Sequence, residues 1–163
     1  MVQHLKNQKG TIVPVTSGLK NPVLRKISKH VESLTPEIQK LIADMHATMK
    51  KEQGIGIAAP QIGVNLRVAL AKLNPATKQE KIITMINPAI ISRSMQMEIG
   101  EEGCLSLRGK WGKVERSLHL RVRFFDEKWK THELHLESLN ARIIQHEIDH
   151  LDGVLFWDRV VEE

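Results

Sequence analysis

The sequence predicts an α+β fold in which antiparallel sheets pack around a central C-terminal helix. Apolar residues recur at helical spacing in two segments, 36–50 and 139–151. Between them lie segments in which apolar and polar residues alternate, as in half-buried strands. This order of helix, several strands and helix is typical of α+β proteins. The length of 163 residues suits one domain, residues 1–163.

The first predicted helix begins at Thr35, a residue type that favours the N-cap, and Pro36 follows at the first helical position. We expect this helix to end near Gly54. Its apolar stripe consists of Ile38, Leu41, Ile42, Met45 and Met49.

The middle of the chain has the pattern of antiparallel strands. Segments 67–73 and 81–87 flank a polar connection, and a third strand is expected at 89–97. Residues 118–125 and 132–137 alternate between apolar and polar side chains. These five segments are expected to supply the sheets that cover the last helix.

The last predicted helix lies between Ser138, expected as its N-cap, and Gly153, just past its end. Ile144, Ile148 and Leu151 form an apolar stripe on it. This stripe predicts that the helix is central to the core.

Composition and charge exclude several classes of protein. The single cysteine excludes an internal disulfide, and with it a disulfide-stabilised secreted scaffold. No apolar run approaches the roughly 18 residues that span a membrane, and the N-terminus lacks the apolar segment of a signal peptide. We therefore expect a cytoplasmic protein without membrane contact. The formal net charge is +5, and residues 1–31 carry six Lys or Arg and no acidic residue.

The last helix carries His146, Glu147 and His150, the pattern of metallohydrolase helices. Histidines four residues apart share one helix face, about 6 Å apart along the axis, so both imidazoles can reach one metal ion. Glu147 projects beside them, where a carboxylate can handle the proton of a metal-bound water. Taken alone, the motif is also consistent with two surface histidines.

Two further segments contain residues that could take part in catalysis. A catalytic metal site needs a third protein ligand, and Cys104 lies in a Glu-Gly-Cys-Leu-Ser segment, residues 102–106. Gly103 suits a bend at the end of a strand, although a lone cysteine is also commonly a small buried apolar residue. Segment 54–61 has small residues that allow a substrate to approach closely. Gln61 is its one polar side chain able to donate to a reacting carbonyl oxygen.

With these motifs the chain resembles the peptide deformylase family. That family carries, in this order, a Gly-hydrophobic-Gly-hydrophobic-Ala-Ala-x-Gln turn, a Glu-Gly-Cys-Leu-Ser segment, and Gln-His-Glu-x-Asp-His on its last major helix. All three are intact here, at 54–61, 102–106 and 145–150. The resemblance covers nearly the whole chain.

The resemblance implies hydrolysis of the formyl group from the N-terminal formyl-methionine of newly made polypeptides, with release of formate. It implies that Cys104, His146 and His150 bind the metal and that Glu147 is the general acid/base. Fe²⁺ is the ion expected from the family, and the Cys/His₂ donor set also suits Zn²⁺, Ni²⁺ or Co²⁺.

The resemblance also implies roles around the metal. Gln61 and the backbone N–H of Leu105 would form the oxyanion hole, and Glu102 and Arg116 match a family pair that braces the site. Arg108 and Trp111 depart from the usual family residues at the rim of the groove. The substrate-binding residues implied are Ile55, Gly56, Gly103, Leu105 and Ile143.

Two other functions stay open at this point. A general zincin-type metallopeptidase shares the helix motif, although ordinary zincins use another His or a carboxylate in place of Cys104. A closed structural metal site in a binding module would need a fourth ligand, for which His119, His132 or His135 could serve.

The expected partner is the nascent formyl-methionyl polypeptide. A weak, transient ribosome contact is expected through the basic residues 1–31, because the ribosome surface is rich in phosphate. The segment 160–163 is short and acidic and does not favour such a contact.

Overall fold

The computed structural model describes residues 8–161, and its elements confirm the α+β class with antiparallel sheets. The helices are α1 (Pro22–Arg25), α2 (Pro36–Lys51) and α3 (Ser138–Leu151), and short 3₁₀ helices cover Ala59–Ile62 and Phe156–Arg159. The strands are β1 (Gly56–Ala58), β2 (Val68–Leu73), β3 (Lys81–Arg93), β4 (Met97–Gly103), β5 (Trp111–Ser117), β6 (His119–Phe125) and β7 (Thr131–Glu137).

The strands form two sheets, and β3 has a different partner along each half of its length. The larger sheet has the order β1-β2-β3-β6-β7, and β4 and β5 form the smaller one. The first half of β3 pairs with β2 and the second half with β6, with a register shift after Ile86. At this shift Asn87 has a positive φ of 52°, and its amide exchanges two 2.8 Å hydrogen bonds with the backbone of Val31.

The last helix is central to the core, as the sequence predicts. Ile144, Ile148 and Leu151 of α3 are buried in one cluster with side chains of the larger sheet. Because α3 packs on this sheet along its apolar stripe, its opposite face is left for polar residues. That face carries His146 and His150, whereas Glu147 lies at the border of the stripe.

Helix α2 begins where the sequence predicts, after the N-cap Thr35. The Thr35 hydroxyl accepts a hydrogen bond from Ile38 N at 3.3 Å, and the expected apolar stripe is buried. The helix ends at Lys51, however, three residues before Gly54. Gln53 takes a positive φ of 55°, which a continuing right-handed helix does not allow.

Two predicted boundaries are wrong. Ser138 is not the N-cap of α3, because Glu137 occupies that position and makes no side-chain cap bond, while Ser138 begins the helix with φ 50°. The strand expected at 89–97 is also wrong, since β3 continues to Arg93 and β4 begins only at Met97. Gly153 does follow the helix end, with φ 74°. Within residues 8–161, no helix combines the length and apolarity needed to cross a bilayer.

We predict that Ile144→Ala lowers the free energy of unfolding by about 2–5 kcal/mol, because this fully buried side chain leaves a cavity between α3 and the sheet. Urea unfolding followed by circular dichroism measures the change. Leu139→Ala on the same helix is the control, since that side chain is 48% exposed. Equal losses in the two variants would contradict the central position of α3.

Candidate active site

Three ligand-type side chains meet where α3 faces the end of β4. One ligand atom each of Cys104, His146 and His150 lies within 4.8 Å of the others. The Cys104 Sγ is 3.3 Å from His150 Nε2, and the two imidazole rings lie edge to face with centroids 5.0 Å apart. Among the described residues this is the one such group of three or more. The structure therefore brings together the three residues that the sequence predicts as metal ligands.

The position of Cys104 follows from the end of β4. Gly103 is the last residue of this strand and pairs with Trp111 of β5. A Cβ at Gly103 would lie 2.7 Å from the Trp111 ring, so the indole lies directly over the glycine. The chain then turns, with Leu107 N donating to Cys104 O at 3.0 Å.

Glu147 lies buried beside the ligand group. A Cβ at Gly56 of β1 would collide with its carboxylate, so glycine at this position allows the close approach of strand and carboxylate. Its Oε2 is buried without a hydrogen-bond partner among residues 8–161. Burial raises the pKa of Glu147 to about 7.

Gln61 is buried in the 3₁₀ helix that follows β1. Its Oε1 accepts from Ala58 N at 2.9 Å, which fixes the orientation of the amide. Its Nε2 donates to Ser106 Oγ at 3.1 Å and lies 3.5 Å from Cys104 Sγ. The amide N–H₂ therefore faces the ligand group, as the sequence predicts for a donor at this site.

Glu102 is the hub of a buried ionic cluster. It accepts from Arg116 Nε and Nη2, both at 2.9 Å, and from Arg142 Nη1 at 2.8 Å. Its Oε1 also lies 2.8 Å from His146 Nδ1. The family resemblance implies Glu102 and Arg116 but not Arg142, which lies one helical turn before His146 on α3.

A cavity of about 550 Å³ opens beside these groups. The five residues expected to bind substrate all line it, together with Gln61, His146 and Glu147. Its lining also includes Trp111 and Leu139, which are 65% and 48% exposed. The expected substrate residues brought together here are Ile55, Gly56, Gly103, Leu105 and Ile143.

The histidines considered for a closed structural site lie elsewhere. His119 and His132 are on β6 and β7 with carboxylate neighbours of their own, Glu137 at 3.7 Å and Asp126 at 2.6 Å. His135 is exposed on β7. None of them joins the ligand group, so no fourth histidine closes the site within the described chain.

Comparison with known proteins decides the family. A family model for polypeptide deformylases matches residues 16–163. The chain belongs to the peptide deformylase family. It is 42% identical to the peptide deformylase of Desulforudis audaxviator over 139 residues, which are 85% of this chain and 88% of that protein. It is 47% identical to the Bradyrhizobium diazoefficiens enzyme over 140 residues, which are 83% of this chain and 80% of the relative.

A solved structure agrees with this assignment. The Met-Ala-Ser-bound class I type b peptide deformylase of Acinetobacter baumannii superimposes with a TM-score of 0.85 at 34% identity, covering 93% of this chain and 99% of that one. The chain is thus a hydrolase with deformylase function. The zincin-type alternative is not supported.

The charge state of the deformylase histidines is set by their burial and neighbours. Burial and the adjacent His146 lower the pKa of His150 well below its usual range, which keeps this imidazole neutral. Burial opposes charge on His146 too, but hydrogen bonds to Cys104 and Glu102 raise its pKa. Because a ligating imidazole must be neutral at its donor nitrogen, metal binding at this site is expected to release a proton.

The cluster around Glu102 is stabilised by its cations. Burial alone would raise the pKa of Glu102, but hydrogen bonds from Arg116 and His146 hold it well below its usual range. The resulting stabilisation is present above the ordinary glutamate pKa of about 4.3 and is lost as the pH falls towards the folded value.

We predict that Arg116→Met lowers the free energy of unfolding at pH 7 by about 3–5 kcal/mol, because it leaves two buried carboxylates short of a partner. The variant should also lose part of the acid sensitivity of stability below about pH 4.3. Urea unfolding of metal-free protein at several pH values measures both effects. Arg123→Met, which breaks an exposed pair with Glu133, is the control and should cost at most about 1 kcal/mol. Similar losses in both would contradict the ionic cluster as a stabilising element.

Proposed function

We propose that the chain, residues 1–163, is one cytoplasmic catalytic domain that hydrolyses the formyl group of N-formyl-methionyl polypeptides and releases formate. The observation that carries this proposal is the group of Cys104, His146 and His150 within 4.8 Å, beside the buried carboxylate of Glu147. The relative from Acinetobacter baumannii, described as bound to Met-Ala-Ser, supports a peptide beginning with methionine as the product.

The three side chains fit a divalent metal ion. One thiol and two imidazoles are the protein ligands of an open, catalytic site rather than a closed one. His146 directs Nδ1 to Glu102, which leaves Nε2 for the ion, and His150 has Nε2 near Cys104 Sγ. A divalent ion held there supplies Lewis-acid polarisation and lowers the pKa of water. We propose Fe²⁺, with Zn²⁺, Ni²⁺ and Co²⁺ as ions that the same donors accept.

Proton transfer is assigned to Glu147. Its carboxylate is buried against Gly56 of β1, and Oε2 has no hydrogen-bond partner among the described residues. In this position Glu147 takes the proton of the attacking water. It then delivers that proton to the methionine nitrogen as the formyl C–N bond breaks.

Two donors are assigned to the formyl oxygen. The Gln61 amide is oriented by its bond from Ala58 N, and its Nε2 faces the Cys104 side of the site. The backbone N–H of Leu105 is the second donor. As the carbonyl oxygen gains negative charge, one such donor contributes roughly 3 kcal/mol to stabilising the transition state.

The cavity is assigned to the first side chain of the substrate. Ile55, Leu105 and Ile143 give it apolar walls, which suit an unbranched methionine side chain. Gly56 and Gly103 let the peptide backbone pass close to the strands. Losing one methylene from a substrate in such a pocket costs about 1–3 kcal/mol, so formyl-Met should react faster than formyl-Gly.

We predict that the Fe²⁺-loaded chain releases formate from formyl-Met-Ala-Ser, and more slowly from formyl-Gly-Ala-Ser. Glu147→Gln should keep one metal per chain but lose about 10²–10⁴-fold in kcat, because it removes only the proton carrier. Cys104→Ala should lose metal and activity together. Formate release and anaerobic elemental analysis measure these outcomes.

The controls separate chemistry from folding. Glu133→Gln changes an exposed carboxylate that does not line the cavity and should leave both metal content and rate unchanged. Stoichiometric metal in Cys104→Ala, or near-normal turnover in Glu147→Gln, would remove that residue from its assigned role.

We also propose a weak ribosome contact through the N-terminal basic residues. Lys9 and Lys20 are exposed, whereas Lys6 lies outside the described residues. Co-sedimentation with ribosomes should fall steeply between about 50 and 200 mM salt, and should fall further when these three lysines are changed to Gln. Changing the exposed Lys78, Lys81 and Lys128 to Gln is the charge-matched control. Binding that is insensitive to salt, or equal in both triple variants, would contradict the proposal.

A further inference from the structure

The 3₁₀ helix Phe156–Arg159 contacts the candidate metal site in two ways. Phe156 is buried, and its ring is nearly parallel to that of His146, with centroids 6.1 Å apart. Arg159, at the other end of this helix, reaches α3. Residues near the end of the chain thus adjoin the ligand side of α3.

A continuous path of hydrogen bonds joins Arg159 to His146. Arg159 donates through Nε and Nη2 to the two carboxylate oxygens of Asp149, at 2.6 and 3.0 Å. Arg116 donates through Nη1 to Asp149 Oδ2 at 2.5 Å, and through its other nitrogens to Glu102. Glu102 then accepts from His146 Nδ1.

We propose that Arg159 is a positioning residue for the metal site and acts on His146 through this path. The inference rests on the proposed metal-binding function of His146. Arg159 and Arg116 share Asp149 Oδ2, while Arg159 alone of the described side chains donates to Oδ1. Two parallel bonds from one guanidinium fix the plane of a carboxylate. Arg159 therefore sets the direction in which Asp149 presents Oδ2 to Arg116.

The consequence at the metal site follows from how Arg116 is held. Its guanidinium is buried between Asp149 and Glu102, so a rotated Asp149 releases one end of it. Glu102 then loses the fixed donor pair that directs Oε1 towards His146. Because Arg142 still holds Glu102 Oε2, the effect should be a partial loss of orientation rather than collapse.

A neighbouring residue provides a matched control for simple docking of the helix. Asp158 pairs with Arg25 at 2.5 Å and caps the same 3₁₀ helix by accepting from Leu155 N at 3.0 Å. It takes no part in the path to His146. Asp158→Asn should therefore loosen the helix while keeping the Arg159 guanidinium, so it reports what loosening alone does to the imidazole.

The test is a Co²⁺ titration of the metal-free full chain, followed by its d–d absorption, together with thermal unfolding of each protein. Arg159→Met should weaken Co²⁺ binding roughly threefold to tenfold, below the 10–100-fold typical for direct partners of a ligand, and should shift the absorption band. Arg159→Lys should recover part of the affinity by keeping one charged donor. Asp158→Asn should lower the unfolding temperature and weaken Co²⁺ binding less than Arg159→Met does.

The failures are distinguishable. Equal Co²⁺ affinity in Arg159→Met and Asp158→Asn would overturn the positioning role and leave the metal site intact. A wild-type chain that takes up no Co²⁺ would overturn the proposed metal site itself. If Arg159→Met does not fold, Arg159→Gln is titrated against the same control, with the same two outcomes.

Discussion

The buried carboxylate of Glu102 ties the smaller sheet to the central helix. Glu102 lies on β4, and its hydrogen-bond partners lie on β5 and α3. The candidate metal ligands lie on α3 or directly after β4. Cys104 follows β4 by one residue, and His146 and His150 lie on α3. The distance between the thiol and the imidazoles therefore depends on the ionic contacts of Glu102, which hold β4 against α3.

An ionic joint at this position has a chemical reason as well as a mechanical one. Removing charges from water is expensive, and an apolar contact of the same size is often as stabilising. An apolar side chain, however, offers no acceptor for His146 Nδ1–H. The carboxylate provides that acceptor, and the two guanidiniums of Arg116 and Arg142 offset its burial. Stability and orientation of the imidazole are thus properties of the same cluster.

Helices and strands with one apolar face can be predicted from the local sequence. The helical spacing of Ile144, Ile148 and Leu151 predicted the central helix, and the i, i+4 histidines predicted one face for two ligands. The smaller sheet was missed, because β4 has only two large apolar residues and directs a charged one, Glu102, inwards. Its partner β5 likewise buries Arg116 and Ser117. Alternation of polarity cannot identify a strand whose inner face is ionic.

Other parts of the site depend on contacts that no local pattern contains. Arg159 and Asp149 are ten residues apart, and their bonding depends on the turn after α3. In the sequence Arg142 looks like an ordinary cation on a helix. Only its hydrogen bonds to the backbone of β4 show that it belongs to the site. The need for a third ligand makes Cys104 a candidate from the sequence, and the resemblance of three ordered motifs to one family implies that it meets the histidine helix.

The close contact between Gly56 and Glu147 restricts which substitutions the cavity can accept when an inhibitor selects for resistance. Any side chain at position 56 would collide with the carboxylate on α3, so a substitution that blocks a drug there also disturbs the enzyme. Trp111 and Leu139 at the rim of the cavity are exposed and tolerate replacement more readily. Compounds held mainly against Gly56 should therefore leave few routes to resistance, whereas those anchored on Trp111 and Leu139 should leave several.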